Sequence, residues 1–246
     1  MASSKVRVLA INASPRKYGN TFKLLKVAAE AAEREGGEVE LIQLYDYDIK
    51  PCIGCLSDIQ VACRYPCVLE DDGRELIEKV HRSDALIIAT PIYWYGPSGH
   101  LKNLIDRITC LENMIFIDGR SWAEGKAAGF IAVGADSGNI SAIAHLMVVL
   151  NSMGFIIPPW ALAYYIGNED ALNRHESISD AANVGALVVR VAKLVKGISE
   201  WYNPKLIDEL GGDEFIKSIR DEAEKIKVAE FRKREGLITK LMRESR

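Results

Sequence analysis

Four of the five cysteines fall between Cys52 and Cys67, as Cys52-Ile53-Gly54-Cys55 and Cys63-Arg64-Tyr65-Pro66-Cys67, a C-x2-C-x7-C-x3-C pattern. Such clustering is unlike the even spread of a secreted disulfide framework and points to metal or redox work. Cys52, Cys55, Cys63 and Cys67 could ligate a [4Fe-4S] cluster, or a zinc ion through four thiolates. Disulfides or free thiols fit the same residues. Cys110 stands alone on a helical pattern and reads as a small core residue.

Two other segments carry chemistry. Asn12-Ala13-Ser14-Pro15-Arg16-Lys17-Tyr18-Gly19-Asn20-Thr21 sits where an apolar strand hands over to a helix. Backbone N–H groups and a helix N-terminus there can face an anion. Ser14, Asn20 and Thr21 add neutral donors, Arg16 a charged one, and Gly19 lets the chain turn close. That inventory suits a terminal phosphate, and the loop matches neither G-x-x-x-x-G-K-[ST] nor G-x-G-x-x-G. The second segment, Thr90-Pro91-Ile92-Tyr93-Trp94-Tyr95-Gly96-Pro97-Ser98, places three aromatics together on a loop. Aromatic faces give a flat ligand apolar contact at low entropic cost. The competing readings are an ordinary strand–helix turn with a polar cap, and an apolar loop covered by a second subunit.

The elements that must position these loops alternate along the chain. Val6–Ile11, Asp84–Thr90 and Ala127–Ala135 read as apolar strands, Glu38–Leu44 alternates like a strand, and Phe155-Ile156-Ile157 begins a fifth. Pro158-Pro159 interrupts that last run and favours an edge position. Helical spacing fills the intervals, ending with Ser177–Val195. Five alternations imply a parallel sheet with helices on both faces. From Ser199 onward the chain is densely charged with both signs, and Phe215, Ile219, Ile226 and Ala229 mark an amphipathic helix. The expected division is residues 1–198 as the α/β domain and 199–246 as a charged helical extension.

Composition narrows the function. The 246 residues carry a net charge of −3, which gives no reason to expect nucleic acid. The longest apolar runs fall far short of a bilayer span, so no membrane partner is expected. A strand-like stretch directly after Met1–Lys5 leaves no room for a signal peptide, and a cytoplasmic location is expected. His81, His100, His145 and His175 show no metal-ligand spacing, although His100 begins the helix after the aromatic loop. No G-x-S-x-G is present to suggest a hydrolase.

Together the two loops resemble the NAD(P)H-dependent FMN reductase and iron–sulfur flavoprotein branch of the flavodoxin-like superfamily. Its G/A-S-P-R…G-N-T pattern appears as Ala13–Arg16 and Gly19–Thr21, and its S/T-P-I-Y-W…L-K-x-x-I-D-R pattern as Thr90–Trp94 and Leu101–Arg107. The resemblance implies a flavodoxin-like three-layer sandwich with a five-stranded parallel sheet in the order 2-1-3-4-5. It implies FMN held at its phosphate by Ser14, Arg16, Gly19, Asn20 and Thr21. Pro91, Ile92, Tyr93, Trp94, Tyr95 and Gly96 would line the isoalloxazine, with Ala135-Asp136-Ser137-Gly138 closing the other side. The flavin would carry the chemistry, taking hydride from NAD(P)H and passing electrons to a small acceptor such as free flavin or a quinone. The rival within the same resemblance is an electron carrier fed by ferredoxin through an iron–sulfur cluster. Against that stands Asp58, which occupies the place of the third cysteine in the family's cluster motif. A homodimer or homotetramer is the expected assembly.

Overall fold

The computed structural model describes residues 5–198, 201–203 and 205–244, apart from the side chains of Ala229 and Lys233, so the expected boundary at Ser199 and the apolar position Ala229 lie outside the described residues. Five strands form one parallel sheet: β1 (Val6–Asn12), β2 (Gly37–Gln43), β3 (Ala85–Pro91), β4 (Ala127–Gly134) and β5 (Leu162–Ile166). Their order is β2-β1-β3-β4-β5. β3 is buried along its whole length, which is why it reads as an unbroken apolar run rather than an alternating one.

Successive residues of each strand feed opposite faces. Val8 and Ala10 join one core with α1 (Asn20–Arg34) and α5 (His175–Val195), through Leu24, Leu25, Ala28, Val184 and Val188. Leu9 and Ile11 join the other core, with α2 (Gly73–Arg82), α3 (Gly99–Glu112) and α4 (Asn139–Ser152). The layers are helix, sheet, helix. This is the flavodoxin-like sandwich expected from the sequence.

The fifth strand corrects the sequence reading. Ile156 makes only an isolated bridge to Ala127, and the paired strand is Leu162–Ile166, beyond the prolines. A proline has no ladder donor, so Pro158-Pro159 ends the approach to the sheet and pairing resumes once the chain has passed them. β5 does lie at the edge.

The chain divides into a compact unit ending at Tyr202 and a second from Asn203. The second contains a single turn, Leu206–Glu209, and the long helix α6 (Gly212–Glu244). No helix among the described residues is long and apolar enough to cross a membrane.

Candidate functional site

The strand order reverses between β1 and β3, and in such sheets ligands bind outside the carboxyl ends of the strands at that crevice. A cleft of about 470 Å3 lies there. It is lined by Ser14, Arg16, Gly19, Asn20 and Thr21 from the β1–α1 loop, by Pro91, Ile92 and Tyr93 after β3, and by Ala135 after β4. These are nine of the fifteen residues chosen from the sequence, brought together from three loops.

Each loop is tied to its neighbour. Ala13 N donates to Ala89 O at 2.8 Å, and Ser98 Oγ donates to Ala13 O at 2.8 Å. Ser98 also caps α3, its Oγ accepting from Leu101 N at 3.3 Å. Ser14 Oγ accepts from Arg16 N at 3.2 Å, which leaves the hydroxyl hydrogen available to the cleft. α1 begins at Gly19 with no side-chain cap, so the N–H groups of its first turn have no intrahelical acceptor. Those donors and the positive end of a four-turn helix face the cleft, and Arg16 is exposed beside them. The donor set fits a phosphate monoester.

Asn20 has a different job from the one its type suggests. Its Nδ2 donates to Glu169 O at 2.7 Å and its Oδ1 accepts from Ala171 N at 3.1 Å. The side chain therefore staples the loop after β5 to the phosphate loop. Lys23 pairs with Asp170 at 2.7 Å to the same effect. Gly167, Asn168, Glu169 and Asp170 line the cleft, as do Tyr18, Lys23, Val133 and Gly134, and none of these was selected from the sequence. The signal for the β5 loop was a turn-rich stretch after a strand, but it was hidden by placing that strand before the prolines.

The aromatic loop is a tight two-residue turn, closed by Tyr93 N to Gly96 O at 3.0 Å and Gly96 N to Tyr93 O at 3.1 Å. Its central residues, Trp94 and Tyr95, have φ of 49° and 65°. Side chains rarely adopt that region, and holding two there costs about 1–3 kcal/mol each. The turn throws Trp94 outward, 95% exposed, and leaves Tyr93 alone of the three aromatics on the cleft wall. Tyr95 packs instead on the β4–α4 turn: a Cβ on Gly138, at φ +90°, would fall 2.8 Å from Tyr95 Cα. Trp94, Tyr95, Gly96, Asp136, Ser137 and Gly138 thus shape the rim rather than line the cleft.

The cysteine loop lies against α3. His100 meets Tyr47 O at 2.8 Å, Asn103 Nδ2 donates to Ile49 O at 3.0 Å, and Asn113 Nδ2, just past the helix, donates to Cys63 O at 2.7 Å. Between them Arg107, 1% exposed, makes a two-pronged ion pair with Asp71 at 2.8 and 2.9 Å. Burial pushes the Asp71 carboxyl up, but hydrogen bonds from Arg107 and from Lys50 and Gly73 N–H outweigh it and hold the group below the ordinary value. Arg107 Nε also donates to Cys67 Sγ at 3.1 Å.

Cys63 stands among the other three thiols of the loop, with Cys52, Cys55 and Cys67 each near enough to raise it. Cys55 and Cys63 hydrogen-bond each other, and burial pushes Cys63 up to about 12. Cys67 accepts from Cys110 and is held low by that bond, with Leu69 N–H and Arg107 assisting against burial. Cys52 is exposed. Among the described residues no three His, Cys, Asp or Glu side chains are arranged to hold a metal ion. Cys67 turns to Arg107 and Cys110, and Asp58 stands in the place of the family motif's third cysteine. Cys110 is a partner of the loop, not only a core filler.

A family model described as NADPH-dependent FMN reductase matches residues 6–167. The chain belongs to that family. It is 32% identical over 203 residues to an iron–sulfur flavoprotein of Methanocaldococcus jannaschii, covering 78% of this chain and all of that protein. It is 31% identical over 183 residues to a Bacillus subtilis protein named as an NAD(P)H-dependent FMN-containing oxidoreductase, covering 73% of this chain and 96% of that one. The crystal structure of RosB superposes with a TM-score of 0.65 at 20% identity, covering 89% of this chain and 87% of RosB, a likeness of fold. As a member of the FMN reductase family the chain is a flavoprotein oxidoreductase.

Proposed function

We propose that the cleft holds one FMN by its phosphate at the N-terminus of α1 and that the protein reduces a small acceptor, such as free flavin or a quinone, at the expense of NAD(P)H. One observation carries this reading: a single cleft joins an uncapped helix N-terminus to the apolar wall of Ile92 and Tyr93. Ser14, Arg16 and the first-turn N–H groups bind phosphoryl oxygens. Asn20 and the Lys23–Asp170 pair keep the β5 loop closed over that end. Ile92 and Tyr93 give flat apolar contact, and the tight turn after them fixes the rim. When bound, FMN supplies hydride acceptance from NAD(P)H and delivery to the acceptor. Trp94, standing out from the rim, offers an aromatic face to an incoming ring.

A ferredoxin-fed carrier is the other reading, and the relative named as an iron–sulfur flavoprotein speaks for it. It needs four thiolates on one cluster. Cys52, Cys55, Cys63 and Cys67 supply that number, but Asp58 stands where the family's cluster motif has its third cysteine. Anaerobic addition of NADPH to the FMN-loaded protein tests the choice. Rapid bleaching of the flavin band supports the reductase, and bleaching by reduced ferredoxin but not by NADPH or NADH overturns it.

A further inference from the structure

The long helix α6 presents an apolar stripe to solvent. Ile219, Ile226, Leu237 and Leu241 are 52, 56, 59 and 53% exposed, with half-buried Phe215 at the head of the same face. Large apolar side chains gathered at both ends of one helix face are buried against something. What covers it is written in the stripe's spacing. Counting its three charged positions, the face runs Phe215, Ile219, Glu222, Ile226, Glu230, Arg234, Leu237 and Leu241, at intervals of 4-3-4-4-4-3-4, which reads the same in both directions. Reversed upon itself about position 228, the face sets Phe215 opposite Leu241, Ile219 opposite Leu237, Glu222 opposite Arg234, and Ile226 opposite Glu230.

Charge agrees with that reversal. Residues 212–224 carry Asp213, Glu214, Asp221, Glu222 and Glu224 against Lys217 and Arg220, whereas 232–244 carry five basic residues against Glu235 and Glu244. Two such helices side by side in the same direction place acid on acid and base on base. In opposite directions each acidic half meets a basic one. The macrodipole favours this segregation too, but its influence is confined to the first and last turns, and here each block runs for more than three turns.

We infer that α6 is a self-association surface, pairing with α6 of a second copy in antiparallel register about position 228. A two-fold axis there makes one patch complementary to itself, as an isologous contact requires. The helix spans roughly 50 Å at 1.5 Å per residue, long enough to join two copies whether or not their α/β units also touch.

Sedimentation of the full-length protein over a concentration series tests the register. Glu222→Arg alone sets Arg against Arg234, and Arg234→Glu alone sets Glu222 against Glu. Each is expected to raise the dissociation constant at least about tenfold, because like charges facing across an interface oppose association. Combining the two in one chain restores opposite charges in the antiparallel arrangement alone, and the wild-type dissociation constant should return. Single reversals that associate as tightly as wild type overturn the inference. So does a combined variant that stays weak, or a wild-type protein that remains monomeric throughout.

Discussion

Arg107 shows how far a residue's type can mislead about its task. From the sequence it closes a flavin-loop signature, yet its five hydrogen bonds all go to the cysteine loop: Cys67 Sγ, Lys50 O, Leu69 O and both oxygens of Asp71. Its partner Asp71 is 36 residues away, so no local pattern reveals the pair. Removing one member of a buried ion pair leaves the other charge uncompensated. Arg107→Met is expected to cost about 3–5 kcal/mol in urea unfolding. The wild type should also carry an acid-sensitive component. Asp71's folded value lies below its ordinary 3.8, so its stabilisation is complete above 3.8 and is lost as pH falls through the lower folded value. Arg107→Met should flatten that acid limb; an unchanged limb would assign it elsewhere. Ser14 is the converse case, legible in type and place. Ser14→Ala should weaken FMN binding roughly tenfold to a hundredfold, the worth of one hydrogen bond to a charged group, and leave riboflavin binding unchanged. Equal losses for both ligands would move the serine away from the phosphate.

At the scale of elements, four of the five strands were readable: β1, β3 and β4 because buried parallel strands are continuous apolar runs bounded by turns, and β2 because it alternates along a half-exposed edge. β5 was not, because Leu162–Ile166 alternates buried and exposed residues as an edge strand does, and a more apolar triplet before the prolines drew attention. The error propagated to the site, since the loop that closes the cleft follows β5. The packing of α1 on α5 was also hidden. Gly185 allows it: a Cβ there would lie 1.9 Å from Ala28 O, backbone that no rotamer change can move. Gly185→Ala should therefore destabilise the fold by at least about 1–3 kcal/mol in urea unfolding, although alanine is the better helix former. A neutral or stabilising result would mean the helices are not in close contact at that crossing. Asn20→Ala acts through the β5 loop. It should raise backbone hydrogen exchange at residues 167–171 as well as weaken FMN binding, whereas a phosphate ligand alone would change only the second.

For the whole molecule, a parallel sheet with its reversal between β1 and β3 leaves one crevice at which loops from four strands converge. The sequence showed two of those loops strongly, because phosphate binding and flat-ring contact each demand distinctive residue types. It could not show that the second and third aromatics of the loop leave the cleft wall, since that depends on backbone dihedrals fixed by the Tyr93–Gly96 closure. Nor could spacing decide the cysteines, whose arrangement follows from Arg107 and Cys110 on a neighbouring helix. The proposed site grips the phosphate, through the uncapped start of α1, more than it grips the ring. Titration of the flavin-free protein with FMN and with riboflavin, followed by flavin fluorescence, examines that grip directly. FMN should bind at least about a hundredfold more tightly, the sum of two or more charge-assisted hydrogen bonds at α1. Equal affinities for the two flavins would contradict it.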